Sequence, residues 1–209
     1  KTDPKPSTIR RSNPGYVKPP VGKEITKKVN DKEHEDLKAE EELFEYKVTV
    51  PWPGIADTVS LTDTVVSELE VQADSLNVKL GEKYNDELKA ATKVEGQTVS
   101  LTLDKTQLEK ISRKVTRRKT KDVQNLELTF KAKIREGANL SDYIEKGKTS
   151  IPNTASYTAG FPNRPEIHKD SNRVPVTPPT PEEPGIKKDV NGKAEETLDN
   201  RNDAFTYHI

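Results

Sequence analysis

The chain of 209 residues contains no cysteine and no methionine, and aromatic residues make up only 5% of it. Without cysteine, disulfides cannot hold the fold together, a composition that is common in secreted bacterial proteins. The sequence also lacks a run of about 18 apolar residues and the apolar segment of an export signal, so we expect no membrane insertion. Neither charge sign dominates, because 35 Lys and Arg residues balance 35 Asp and Glu residues. This balance argues against a dedicated nucleic-acid or membrane-surface binder.

The apolar content is low for one compact domain of this length. Hydrophobic residues make up 30% of the chain, charged residues make up 33%, and the mean hydropathy is −0.91. We therefore expect a globular core of about 130 residues with polar flanking segments. Residues 1–23 and 161–184 contain five and seven prolines. Because dense proline disfavours helices and sheet ladders, we predict that both segments are extended linkers, or alternatively ligands for proline-binding domains.

Each proline-rich segment is followed by a similar stretch of sequence. Residues 24–48 align without a gap to residues 185–209, with nine identities at an offset of 161. One of the identities matches Lys27 with Lys188. We predict a repeating unit, with one domain at 24–160 and the truncated start of a second, similar domain at 185–209. An internal duplication in a soluble enzyme would explain the repeat, but not the proline-rich segments.

Apolar and polar residues alternate within residues 24–158, with the period of two that is typical of half-buried strands. The clearest runs are 44–50, 57–65, 97–103 and 125–134. Short helices are predicted at 105–112, after Asp104 as a cap, and at 139–146. Several short strands separated by turn signals predict an all-β, immunoglobulin-like β-sandwich with short helical insertions.

Three polar residues fall in register with core-facing neighbours: Lys27, Asp63 and Asn153. Lys27 lies between two apolar residues of the first strand, Asp63 follows two on another strand, and Asn153 lies between two on the last strand. Burying a charge costs several kcal/mol unless the charge is paired or neutralised. Three strands that each carry such a residue suggest one shared explanation.

A covalent bond between two of these side chains would be that explanation. Burial disfavours the ammonium form of Lys27, lowers its pKa and leaves a nucleophilic amine. The same desolvation favours a protonated Asp63 carboxyl, which can hydrogen-bond to the side-chain carbonyl of Asn153 and polarise it. Attack by the amine releases ammonia and leaves an isopeptide bond between Lys27 and Asn153. The reaction consumes its own side chains, so we predict autocatalysis without turnover and no enzyme activity.

Two neighbouring residues are weaker candidates for the same roles. Lys28 points to the opposite face from Lys27, and its counterpart in the repeat is Asp189. Asp57 shares the face of Asp63 but lies at the start of the strand. The structural alternative to a bond is a solvated lysine near a strand start and an asparagine at a turn or sheet edge.

The motifs ITKKVN, FEYKVTV, VSLTDTV, LELTFKAKI and SIPNTASY together resemble the CnaA-type isopeptide-forming domains of Gram-positive pilins and cell-wall-anchored adhesins. The resemblance covers about residues 24–158. It implies Lys27 and Asn153 as the cross-linked pair, Asp63 as the catalytic residue, and Lys188 as the cross-link lysine of the second copy, without a partner in this chain. It also implies an extracellular, cell-wall-anchored stalk module, with neighbouring repeat domains of the same chain as partners.

Two other functional classes stay open. A ligand-binding adhesin domain that contacts a host matrix protein would need an exposed concave or apolar patch. A carbohydrate-active β-sandwich would need exposed aromatic platforms or paired carboxylates, and the aromatic residues are few.

The basic run at 112–121 predicts a solvated loop, or else a site for acidic polymers or surfaces. His34, His168 and His208 are scattered along the chain, so we expect no metal site and no cofactor.

Overall fold

The computed structural model describes residues 24–52, 56–81, 83–84, 86–116, 125–180 and 188–209. The chain divides into two compact units, the first ending at Pro178 and the second beginning at Pro179. The described part of the first unit is mostly β-structure with two short α-helices. Within the described residues, no helix is long and apolar enough to cross a membrane.

The described residues of the first unit form fifteen strands, two α-helices and one 3₁₀ turn. The strands of the first unit are β1 (Thr26–Val29), β2 (Glu35–Asp36), β3 (Phe44–Pro51), β4 (Thr58–Thr64), β5 (Leu69–Leu80), β6 (Lys83–Tyr84), β7 (Thr92–Glu95), β8 (Thr98–Leu103), β9 (Asn125–Ile134), β10 (Ile144–Glu145), β11 (Lys148–Thr149), β12 (Ile151–Asn153), β13 (Ala155–Gly160), β14 (Ile167–Asp170) and β15 (Val174–Thr177). The helices are α1 (Asp86–Ala90) and α2 (Lys105–Thr116), and Ser141–Tyr143 forms a 3₁₀ turn.

Two five-stranded sheets form the body of the first unit. One has the strand order β1-β3-β9-β5-β6 and the other has the order β14-β13-β4-β8-β7, with antiparallel neighbours throughout. A smaller sheet has the order β12-β15-β2, in which β15 runs parallel to β2. The inner faces of the two large sheets contribute to one hydrophobic core. The all-β sandwich predicted from the sequence is therefore confirmed.

The period of two decides which side chains enter this core. Every second residue of β3 is buried, and the same alternation runs along β4, β8 and β9. The largest fully buried side chains of the core include Tyr46, Phe130 and Leu61. Because successive side chains of a strand point to opposite faces, a polar residue that shares this period is buried with its apolar neighbours.

The first predicted helix is confirmed, and the second is confirmed only as the single 3₁₀ turn at Ser141–Tyr143. In α2, the amide of Gln107 donates to the carboxylate of Asp104 at 2.8 Å, and the amide of Asp104 donates to the Gln107 side chain at 2.9 Å, which closes a capping box. The helical turn does not extend to residue 146, because β10 begins at Ile144 and Lys146 and Gly147, with φ of 52° and 79°, turn β10 into β11.

The proposed basic loop at 112–121 lies partly in a helix. Its first residues belong to α2, which ends at Thr116, and residues 117–121 lie outside the described residues. The predicted linker at 1–23 lies outside the described residues as well.

The predicted linker at 161–184 is wrong for its central part. Here β14 pairs with β13, and β15 pairs with β12, so that Val174 and Val176 are fully buried. Pro175 faces Pro152 across the ladder, and two prolines cannot exchange main-chain hydrogen bonds, so the pairs on either side hold the strands together. The strands of the first unit consequently run to Thr177, beyond the predicted domain end at residue 160.

The described part of the second unit is a hairpin of β16 (Asp189–Val190) and β17 (Tyr207–His208). The amide of Thr206 donates to the side chain of Asn191, and the amide of Asn191 donates to the Thr206 carbonyl, each at 2.8 Å. Asn30 exchanges the same two bonds with Glu45, also at 2.8 Å. The aligned segments thus share local geometry, and the assignment of residues 185–209 to a second domain stays a prediction.

Candidate functional site

The core of the first unit contains a small set of polar side chains. The buried polar residues of the described chain are Lys27, Asp63, Asn153 and Ser171, with exposed fractions of 1%, 0%, 3% and 9%. Three of them are the residues that the sequence pattern singles out. Their burial agrees with the alternation of the strands, and their roles in a cross-link stay predictions.

The side chains of Lys27, Asp63 and Asn153 come from three different strands. Lys27 lies on β1 opposite Val48, and Asp63 lies on β4 opposite Ala155 of β13. Asn153 lies on β12, two residues before Ala155, and on the same buried face. Because β13 begins only two residues after Asn153, Asn153 lies close along the chain to Ala155, the residue that pairs with Asp63.

The amine of Lys27 contacts Oδ2 of Asp63 in a buried ion pair and hydrogen bond. Burial lowers the pKa of Lys27, and the charge of Asp63 and its hydrogen bond oppose this shift without cancelling it. Compared with an exposed lysine, Lys27 is therefore shifted toward the neutral amine, the form of lysine that can act as a nucleophile.

Four buried polar atoms of this region have no hydrogen-bond partner among the described residues. They are Oδ1 and Nδ2 of Asn153, Oδ1 of Asp63 and the hydroxyl oxygen of Tyr46. Buried polar atoms are nearly always paired in folded proteins, and each exception costs about 1–3 kcal/mol. This group of atoms beside a buried lysine with a lowered pKa makes the cluster the candidate functional site of the described residues.

Tyr46 is a residue of this site that the sequence pattern did not single out. Its ring centroid lies 4.4 Å from Nζ of Lys27, and the ring of Phe130 lies 5.5 Å from the same atom. Burial raises the pKa of Tyr46 strongly, the charge of Asp63 adds to the rise, and the side chain of Asn153 opposes it. Tyr46 is therefore influenced by Asp63 and Asn153, and its ring contacts Lys27. The sequence offers one signal for Tyr46, because the aligned position of the repeat is also a tyrosine, Tyr207.

The two weaker candidates lie apart from this cluster. Lys28 is exposed on the outer face of β1. Asp57 is partly buried and forms an ion pair with Lys105 at 3.0 Å. Both are therefore natural controls for substitutions of Lys27 and Asp63.

Asn172 is the second residue that the sequence pattern missed. The amide of Lys27 donates to Oδ1 of Asn172 at 2.8 Å, and Nδ2 of Asn172 donates to the carbonyl oxygen of Lys27 at 2.9 Å. Asn172 lies in the segment that the proline content predicts to be a linker, so no sequence pattern indicates a role for it.

No protein-family model matches this chain. It is 49% identical over all 209 residues to a segment of Platelet adherence protein A of Streptococcus gordonii, and it spans 6% of that protein's length. The major pilin subunit BcpA of Bacillus cereus superposes with a TM-score of 0.58 at 23% identity, over 74% of this chain and 39% of that one. The N-terminal domain of the Streptococcus gordonii adhesin Sgo0707 gives 0.51 at 18% identity, over 74% of this chain and 32% of that one.

The chain has the fold of pilin and adhesin modules. The prediction of an immunoglobulin-like sandwich is confirmed by these neighbours, and so is the resemblance to Gram-positive pilins and adhesins. The relative and the two structural neighbours are named as an adherence protein, a pilin subunit and an adhesin.

Proposed function

We propose that the first unit is a structural stalk module of a bacterial surface adhesin or pilus-like protein, locked by an isopeptide bond between Lys27 and Asn153. The observation that carries this proposal is the buried contact between Lys27 and Asp63 in the core that also buries the unpaired amide of Asn153. The fold shared with pilin and adhesin modules supports it. Such a protein acts outside the cell, anchored to the cell wall.

The contact between Lys27 and Asp63 provides the first proton transfer. Moving a proton from the ammonium to the carboxylate turns a buried ion pair into a neutral amine and a neutral carboxyl, which burial favours. The amine nitrogen then attacks Cγ of Asn153, while the Asp63 carboxyl donates a hydrogen bond to Oδ1, where negative charge develops.

The second half of the reaction breaks the bond between Cγ and Nδ2 of Asn153. Nδ2 leaves with its two hydrogens and with one proton that Asp63 relays from Nζ of Lys27, so that one ammonia departs. The product is an amide between Nζ and Cγ. Of the three hydrogens of the starting ammonium, one remains on the amide nitrogen, one leaves in the ammonia and one stays on Asp63, which ends as a neutral carboxyl. The fold holds the reacting groups together, which can lower the barrier by about 7–11 kcal/mol.

The decisive experiment is an intact-mass spectrum of the folded chain. The wild type should be lighter than its sequence mass by one ammonia, and a tryptic digest should contain a branched peptide that joins Lys27 to Asn153. Lys27→Ala, Asp63→Ala and Asn153→Ala should each restore the full mass. The matched controls Lys28→Ala and Asp57→Ala should lose ammonia as the wild type does. A folded wild type with its full sequence mass would refute the bond.

The second unit supports a repeat of the same chemistry. Nζ of Lys188 lies 4.0 Å from the ring centroid of Tyr207, as Lys27 lies over Tyr46. We assign Lys188 as the cross-link lysine of a second copy. The partners of the first unit would then be neighbouring repeat domains of the same chain.

A second candidate function is binding of a host matrix or cell-surface ligand. The specific observation in its favour is the name of the relative, which assigns platelet adherence to that whole protein. Adhesion of platelets to immobilised chain, compared with the same chain after denaturation, tests this function. Saturable adhesion to the folded chain alone would support a ligand-binding domain, and its absence would leave the stalk role.

A further inference from the structure

The main chain of Lys27 is held from outside its own sheet. β1 is an edge strand, and β3 is its one neighbour in the sheet order. The side chain of Asn172 accepts a hydrogen bond from the Lys27 amide and donates one to the Lys27 carbonyl oxygen. A primary amide carries a donor and an acceptor side by side, so Asn172 takes the place of the neighbouring strand that an edge strand lacks.

Residues around Asn172 hold the strand that carries Asn153. The amide of Ser171 donates to the Ala155 carbonyl at 2.8 Å, and the Ala155 amide donates to the Ser171 hydroxyl at 2.9 Å. Ser171 is buried, and Val174 pairs directly with Asn153 in the ladder. Residues 171–174 therefore join the two main chains whose side chains the proposed bond would connect.

We propose that Asn172 is a positioning residue that fixes Lys27 along the sheet edge until the bond to Asn153 has formed, an inference that rests on the proposed function. β1 has only four residues, and a slip by one residue would turn the Lys27 side chain out of the core. The reacting atoms must approach to about 3–3.5 Å. Two hydrogen bonds at the main chain of the reacting residue oppose both slipping and fraying of the strand.

Asn172 would position Lys27 only before the bond forms. Its contribution should therefore appear in the rate of bond formation. The full chain is made by cell-free translation, and samples are quenched in acid at intervals. Intact mass gives the fraction of each sample that has lost ammonia. Resistance to trypsin selects folded protein, so that a loss of stability alone does not change the measured rate.

Three variants separate the contributions of the Asn172 side chain. Asn172→Ala removes both hydrogen bonds and should slow bond formation roughly tenfold or more. Asn172→Asp keeps the acceptor for the Lys27 amide but sets a second carboxylate oxygen against the Lys27 carbonyl oxygen, so its rate should also fall below that of the wild type. The control is Arg173→Ala, because the neighbouring side chain bonds to exposed Glu145 and does not touch Lys27. It should react at the wild-type rate.

The possible outcomes distinguish a failure of the positioning role from a failure of the proposed bond. A wild-type rate in Asn172→Ala overturns the positioning role and leaves the bond standing. No loss of ammonia in the folded wild type overturns the bond, and this inference with it. If Asn172→Ala does not become resistant to trypsin, then Asn172→Asp decides. A slower rate in that variant supports positioning, and a wild-type rate overturns it.

Discussion

Lys27 contacts Asp63 across the core, and both side chains are entirely buried. The two residues belong to different sheets, β1 in one and β4 in the other. Removing one partner leaves an uncompensated buried charge and costs about 3–5 kcal/mol by itself. Substitutions of Asn153 keep the pair intact, so they isolate what the proposed bond contributes.

Asn153→Ala should lower the free energy of unfolding by about 4–5 kcal/mol, because the bond closes a loop of about 125 residues and restricts the unfolded chain. The measurement is thermal melting followed by circular dichroism, with trypsin digestion alongside. Thr154→Ala changes the exposed neighbouring residue and should melt as the wild type does. Dithiothreitol should leave the wild type unchanged, since the chain has no cysteine. Equal melting of wild type and Asn153→Ala would contradict the prediction.

Force applied between residues 24 and 178 should pass from β1 to β12 through the proposed bond. Only the residues outside the link can then extend, which gives about 90 Å for the segment after Asn153. Without the bond, the whole unit can unravel to about 500 Å. Single-molecule pulling of wild type and Asn153→Ala measures this difference. Equal extensions would refute the bypass of force, even with the bond confirmed by mass.

The stability of Asn153→Ala should depend on pH through Lys27. In this variant the amine stays free, and burial lowers its folded pKa below the usual value of 10.5. The unfolded chain then binds more protons between the two pKa values, so the free energy of unfolding rises with pH across that window. Below the folded pKa, the cost of burying the ammonium is present in full.

Urea unfolding at several alkaline pH values tests this slope. The control is Asn153→Ala combined with Lys27→Met, which keeps an unbranched side chain one atom shorter and removes the titrating group. The other titrating groups are common to both proteins, so the difference between their slopes reports on Lys27. Parallel curves for the two proteins would show that the buried amine does not titrate as inferred.

Lysine acylation should distinguish the two aligned lysines. Lys188 is exposed, so acylation of the native chain should modify it, together with the exposed control Lys28. Lys27 should stay unmodified even when the chain is acylated after denaturation, because the bond has consumed its amine. In Asn153→Ala, Lys27 should react after denaturation and not before. Acylation of Lys27 in the denatured wild type would argue against the bond.

Local pattern accounts for much of what could be predicted. The period of two identifies the strands and turns Lys27, Asp63 and Asn153 inward, because alternation is a property of each strand by itself. The cap at Asp104 likewise lies within a few residues of its helix. The predicted helical piece at 139–146 is limited to one 3₁₀ turn, because a hairpin with two residues of positive φ follows it directly.

What the sequence determined by itself is therefore which side chains are buried, and the tertiary structure decided which of them meet. Asn172 and Lys27 are 145 residues apart, and no local pattern indicates that one side chain binds the other's main chain. The proline-rich segment joins the sheets because Val174 and Val176 have a partner strand, which outweighs the intrinsic preference of proline for extended linkers. Tyr46 resembles any core aromatic until the packing of two sheets sets Lys27 over its ring.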